Sequence, residues 1–388
     1  MRFECEITPL FAASVMAFFI YLGHFMRVPI VPLYAKDYGA SLTQVGFITS
    51  AYMLTSSLLA VPLGLTSDWL GRKRLIIYGS LIGALASFFM VLATNPYQIL
   101  AVYALAGLGL AAYAPAISAF IGDISEVSRL GRAYGAYTTT IQVAMASGPA
   151  VGGFAADLVG YSNAFIWSGV IISVGVAIAA IAFPSNLKKI SRPTKRDVAA
   201  GFEMLMKNKV VIACWVAVFS LTFTWGVSPA FLPLYATGVG LSAFAIGLLF
   251  AAQSAANAVA RLPFGALYDR VGKRLPFIIA GLLTAALSIA LLTSFTSLAI
   301  LMALMGLFGL AMGVTGMSAS ALVAEATKPE SRGLAMGVLS ACMYGGMGVS
   351  PAVLGQVISM HGFQLGFYIA AATGCVGSLL VYALTRKS

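Results

Sequence analysis

The sequence predicts an all-α membrane protein with twelve transmembrane helices in two pseudo-symmetric six-helix bundles. Three observations carry that expectation: the composition, the apolar runs and an internal repeat. Of 388 residues, 60% are hydrophobic and only 9% are charged, against about 25% charged in ordinary soluble domains. So few charges cannot clothe a water-exposed surface.

About 20 apolar residues suffice to cross a bilayer's hydrocarbon core as a helix. Such windows fall near residues 9–33, 42–65, 74–94, 97–121, 133–156, 162–183, 210–235, 242–266, 275–293, 297–322, 334–358 and 363–385. The runs are continuous and do not alternate with period two, which favours helices over a membrane barrel. At the start, Glu4 and Glu6 stand beside Arg2 and the apolar run outlasts a signal peptide. An uncleaved first helix is therefore expected.

The formal net charge is +11, which could suggest a nucleic-acid partner, so the location of the basic residues decides. Twenty of the 23 Lys and Arg lie before the first window, in the loops after even-numbered windows or, for Arg74, at the edge of such a loop, or at the end. Lys36 falls in an opposite-side loop, while Arg27 and Arg261 lie inside windows. This is the positive-inside signature. It predicts a multi-pass protein of the cell membrane with both termini cytoplasmic, and no nucleic-acid partner. The four cysteines are scattered without paired spacing, so neither a disulfide framework nor a metal site is expected.

Sliding the chain by 201 positions lays "VPLYAKDYGASLTQVG" at 31–46 on "LPLYATGVGLSAFAIG" at 232–247. Pro62, Gly64, Asp68 and Gly71 meet Pro263, Gly265, Asp269 and Gly272 at the same shift, and "ASGPAVGG" at 146–153 meets "GVSPAVLG" at 348–355 at a shift of 202. The expected organisation is thus a bundle at 1–183, a hydrophilic cytoplasmic linker at 184–209 and a second bundle at 210–388. Paired bundles are a recurrent plan of secondary transporters, whose solute site lies between the halves and whose access alternates as they rock.

The repeated knots "GLTSDWLGRKR" at 64–74 and "GALYDRVGKRL" at 265–275 each follow the second helix of a half. Gly64 and Gly265 permit close helix approach, and Asp68 and Asp269 suit the partial positive charge of a helix N-terminus. The spacing G-x-x-x-D-x-x-G-[RK]-[RK], found twice, resembles the signature loop of the major facilitator superfamily, and the likeness covers essentially the whole chain. The resemblance implies a transporter, not an enzyme, with no catalytic residues and no cofactor. It implies that Asp68 meets the eleventh helix and Asp269 the fifth. A cytoplasmic latch of Gly64, Asp68, Gly71, Arg72, Asp123, Gly265, Asp269, Gly272 and Arg332 is expected; the alternative is that the basic residues only set topology.

Features present in one half are the better candidates for chemistry. Arg27 lies inside the first window and its counterpart in the second half carries no charge. A charge there costs about 2.5–3.5 kcal/mol on insertion scales, which marks a functional-site hypothesis. His24, three residues earlier, shares its helix face and can exchange protons near neutral pH. Together they suit an anionic group; the other reading is that Arg27 snorkels toward the headgroups and His24 is a packing residue. Further pocket candidates are Tyr21, Tyr113, Gln142, Trp225, Gln253, Asn257 and Tyr344. Few polar groups amid many aromatics suit a partly hydrophobic solute.

No carboxylate falls mid-membrane, so proton coupling needs His24, an acid at the cytoplasmic end such as Asp123, Glu126 or Glu325, or no titratable site. "AMASGPAVGG" at 144–153 resembles the fifth-helix motif of proton-linked drug antiporters, with Gly148, Pro149, Gly152 and Gly153 matching; generic helix packing is the alternative. The fourth helix departs from the antiporter pattern, with Tyr103 where arginine is expected and Ala106 where glutamine is. The expected activity is alternating-access export of a small amphipathic or anionic solute by a monomer in the lipid bilayer, with protons as the candidate coupling ion. An uptake carrier for a metabolite or lipid-like anion is the runner-up, and a non-transporting sensor or scaffold the third reading.

Overall fold

The computed structural model describes residues 2–125, 130–183, 202–271 and 274–386. Its long elements are α1 (Arg2–Met26), α2 (Ile30–Asp37), α3 (Leu42–Leu70), α4 (Arg72–Met90), α5 (Pro96–Ile124) and α6 (Leu130–Ala182). They continue with α7 (Lys209–Gly238), α8 (Ala243–Val271), α9 (Leu275–Leu292), α10 (Leu298–Ala326), α11 (Pro329–His361) and α12 (Phe363–Thr385). Among the described residues, ten helical stretches are long and apolar enough to cross a membrane. The longest, Arg132–Ala182, bends at Gly160 (φ 82°) and so holds both the fifth and sixth expected crossings.

The first crossing is not the single helix expected over 9–33. It breaks at residues 27–29 and resumes as α2, ending at Asp37. Pro29 supplies the cause: it has no N–H to donate, and its ring disfavours the α conformation of the residue before it. The N–H groups of Arg27 and Val28 accordingly donate three residues back, to His24 (3.3 Å) and Phe25 (3.2 Å).

Local chemistry sets the other ends. Asn95 accepts from the N–H groups of Tyr97 and Gln98 (3.1 and 3.0 Å) to start α5, with Pro96 in the first turn. Asn208 does the same for α7. The turns at Gly39 and Gly240, and at Gly160 and Gly362, are left-handed with φ of 80–89°. They recur at shifts of 201 and 202 residues, because only glycine adopts that backbone without strain.

The chain forms two compact units, one of Met1–Ala40, Ala51–Ser191 and Gly240–Ala251, the other of Ser41–Ser50, Arg192–Val239 and Ala252–Ser388. In the first, α1 lies along α6 while α4 packs on α5 and α6; in the second, α7 lies along α11 and α12 while α9 packs on α10 and α12. The repeat seen in sequence is thus a repeat of packing. Small residues permit it: a Cβ on Gly79 of α4 would stand 2.9 Å from the Gly109 carbonyl of α5. Large apolar side chains such as Leu58, Ile181 and Leu379 point outward, as a lipid-facing surface requires.

Candidate functional site

The helix break places an arginine inside the first unit. Arg27 is 1% exposed and His24 7%, so the guanidinium does not snorkel to the headgroups. Its Nη2 donates to His24 Nδ1 at 2.7 Å, and Nη1 reaches the Gly83 carbonyl of α4 at 3.5 Å. Its Nε is buried and, among the described residues, without a partner. Guanidinium has five N–H donors, and here a single short bond is made.

The other side of the histidine meets Tyr52 of α3, whose hydroxyl closes on Nε2 and lies 3.2 Å from Nδ1. Because a guanidinium only donates, Nδ1 must be the acceptor. His24 is therefore neutral with its proton on Nε2, donated to the Tyr52 oxygen. Tyr52 stacks on Tyr103 of α5, centroids 4.8 Å apart, and Tyr21 meets Tyr113 edge-on at 5.5 Å. Among the described residues no carboxylate pairs with Arg27 or His24; the ionisable groups facing the arginine are phenols.

The second unit carries the same placement with uncharged residues. At the 201-residue shift, Trp225 stands for His24, Gln253 for Tyr52 and Ser228 for Arg27. Trp225 Nε1 donates to Gln253 Oε1 at 3.2 Å, and Gln253 Nε2 lies 3.6 Å from the Met312 sulfur. Asn257 accepts from Arg261 Nε at 3.3 Å. Gln142 of α6 and Tyr344 of α11 are half-buried.

Tyr52 and Tyr103 escaped the expected list. The signal available was the shift itself, which aligns Tyr52 with the named Gln253.

Of the expected latch, Arg72 Nε bonds Asp123 Oδ2 at 3.1 Å, joining the start of α4 to the end of α5. Its unnamed counterpart in the second unit is Arg274 Nη2 on Glu325 Oε1 at 2.6 Å. Gly71 takes φ 94° ahead of α4, and Arg332 is exposed. Among the described residues, a Cβ on Gly64 would meet Pro115 at an ordinary 3.7 Å. Gly265, Asp68 and Asp269 have helical backbone, but their side chains lie outside the described residues, as does Gly272. Glu126 lies outside them too.

The fifth-helix motif has a physical role in this unit. A Cβ on Gly148 would lie 2.6 Å from the Phe25 Cβ, and one on Gly152 would strike the Met26 carbonyl, so both glycines seat α6 on the segment that carries His24 and Arg27. Gly153 takes the Ala243 carbonyl in the same way, and the Pro149 carbonyl lies against Gly247. Asp157 accepts from the N–H groups of Ala243 (3.0 Å) and Phe244 (2.8 Å).

The Major Facilitator Superfamily model matches residues 13–244 and 214–388. This chain belongs to that superfamily. It is a multi-pass membrane transporter that takes a small-molecule substrate, not an enzyme. An uncharacterized MFS-type transporter of Methanocaldococcus jannaschii is 23% identical over 96% of this chain and 97% of that protein. The quinolone resistance protein NorA of Staphylococcus aureus is 25% identical over 56% of this chain and 55% of its own length. Among solved structures, a bacterial homolog of the human lysosomal transporter Spinster superposes at TM-score 0.85 with 15% identity, covering 98% and 96% of the two chains. The nucleoside transporter NupG does so at 0.81 with 15% identity, covering 97% and 100%. At that identity the superpositions speak for the fold alone.

Proposed function

We propose that this superfamily member carries a small, partly apolar organic anion, and that the charged group of the cargo docks on Arg27. The single observation that supports this is a buried guanidinium that, among the described residues, has an unpartnered Nε and no carboxylate paired with it. A buried charge is ordinarily paired; here the missing partner is the cargo. Tyr21, Tyr52, Tyr103 and Tyr113 supply apolar faces with polar rims, suited to an amphipathic molecule.

The antiporter pattern expects arginine at position 103, and Tyr103 there faces Arg27. The cation is thus provided by the first crossing in place of the fourth. Export is the direction supported by the likeness to a quinolone resistance protein; uptake is the second reading, favoured by the chemistry of the His24–Arg27 pair developed below.

The halves 1–183 and 210–388, joined by 184–209, are taken as the two moving bodies, with both termini cytoplasmic and the transporter acting as a monomer. Asp68 and Asp269, together with the Arg72–Asp123 and Arg274–Glu325 pairs, are assigned to the latch on the cytoplasmic face. Asp68→Asn is expected to shift the balance between inward and outward states; full transport with that balance unmoved rules out the latch.

The deciding test is a solute screen on purified protein in proteoliposomes, with and without an imposed pH gradient. Permanently charged anions and cations of equal chain length are compared. Anions are expected to be taken up by wild type and lost in Arg27→Ala. Equal handling of anions and cations by both proteins would remove the anion site.

A further inference from the structure

Resting on the anion reading, the geometry points to a second role for the same cluster: His24 is the proton site, and it takes a proton when an anion draws Arg27 away. The cargo and the proton then cross in the same direction.

Nδ1 of His24 accepts from the guanidinium at 2.7 Å, and Nε2 already spends its proton on Tyr52. A proton added to Nδ1 would leave two donors and two positive charges face to face in a buried site. The resting pair therefore holds His24 neutral. An anion on Arg27 reverses both conditions: it offers the guanidinium a better acceptor, freeing Nδ1, and it supplies the negative charge that an imidazolium needs. Opposite charge within a low-dielectric site acts strongly over such distances.

Among the described residues, the groups that face the pair include no carboxylate and no second histidine to compete as proton carrier. From α3 comes Tyr52, from α5 Tyr103 and Tyr113, from α4 the Gly83 carbonyl, and from α1 itself Tyr21 beside Tyr113. At the α6 contact next to His24, Gly23 meets Ser168 and Ile172, neither of them titratable. Arg27 also sits on the three-residue joint between α1 and α2; its carbonyl still accepts from the N–H groups of Ile30 and Val31, so the swing toward a ligand is one of the side chain, with the backbone bonds intact. No bond is made or broken beyond the proton transfer: solvent gives one proton to Nδ1, and the anion's charge is balanced.

Two ligands that bind with positive linkage raise each other's affinity by the same factor. Net movement is then one anion with one proton, electroneutral, and an inward proton gradient drives the cargo inward. A proton antiporter needs the opposite sign, with protonation expelling the cargo.

Hexanesulfonate is the probe, because a sulfonate stays charged and brings no proton of its own. Calorimetry in two buffers of different ionisation enthalpy counts the protons exchanged on binding. Wild type is expected to take up about one proton per anion, with affinity rising about tenfold per pH unit lowered across the range where His24 titrates. The chain has only two histidines, His24 and His361, so nitrogen NMR on histidine-labelled wild type reads the change from neutral to charged ring without any variant. His24→Gln is expected to bind with no proton uptake and no pH dependence.

Proton uptake surviving in His24→Gln, or wild type binding with no uptake or with release, overturns the coupling while leaving the anion site standing. Failure of wild type to bind hexanesulfonate overturns the anion reading itself, and the coupling with it.

Discussion

Replacing Arg27 with methionine separates a functional charge from a structural one. A strut weakens the fold when removed, whereas a charge kept for a ligand strengthens it. Taking the charge out of the membrane interior returns about 2.5–3.5 kcal/mol. The Nδ1 of His24 loses its donor and takes back about 1–2 kcal/mol. The Gly83 carbonyl loses little, since its contact with Nη1 is long at 3.5 Å and Ser87 Oγ still donates to it at 3.2 Å.

The balance is a stabilisation of about 0.5–2.5 kcal/mol, which for a cooperative unit of about 200 residues raises the melting temperature by about 1–10 °C. The assay is thermal unfolding of purified protein with and without hexanesulfonate. At a hundredfold excess over its dissociation constant, the anion adds about 2.7 kcal/mol to wild type and nothing to Arg27→Met. A fall of several degrees in the variant, with protection by the anion retained, would refute the reasoning and make Arg27 a structural residue.

Three further outcomes follow from packing and caps. Gly152→Ala drives a methyl into the Met26 carbonyl and is expected to cost about 1–3 kcal/mol and to depress anion binding, whereas Gly135→Ala, with open space around it, leaves melting unchanged or raises it. Asn95→Ala removes the cap of α5 and should lower stability by about 0.5–2 kcal/mol while proteoliposome transport persists. In a double-mutant cycle, the Arg274–Glu325 pair, with its carboxylate side chain 54% exposed, is expected to contribute less than about 1 kcal/mol to stability, so a larger transport defect marks it as part of the moving latch.

Much of the fold was legible because a membrane leaves few options: apolar length, basic-residue asymmetry and self-alignment each constrain it separately. The repeat even foretold contacts within the units. Gly46 and Gly247 align in sequence, as do Pro149 and Pro351; in space Gly46 meets the Pro351 carbonyl and Gly247 the Pro149 carbonyl. The break at residues 27–29 was written in Pro29, yet an apolar window reports length and is blind to a missing N–H. His24 and Arg27 stood out as lone polar residues. Tyr52 did not, because an aromatic residue in a membrane helix looks like packing until its hydroxyl is seen against the imidazole. The Arg274–Glu325 pair was hidden by its 51-residue separation, although the same separation joins Arg72 to Asp123.

The most direct measurement is a structure of the protein with bromobenzenesulfonate, whose bromine and sulfur locate the molecule independently. The sulfonate is predicted within hydrogen-bond reach of Arg27 Nε, with the His24 ring released from the guanidinium and the aromatic ring among Tyr21, Tyr52, Tyr103 and Tyr113. Density for the sulfonate away from Arg27, with the His24–Arg27 bond intact, would contradict the account.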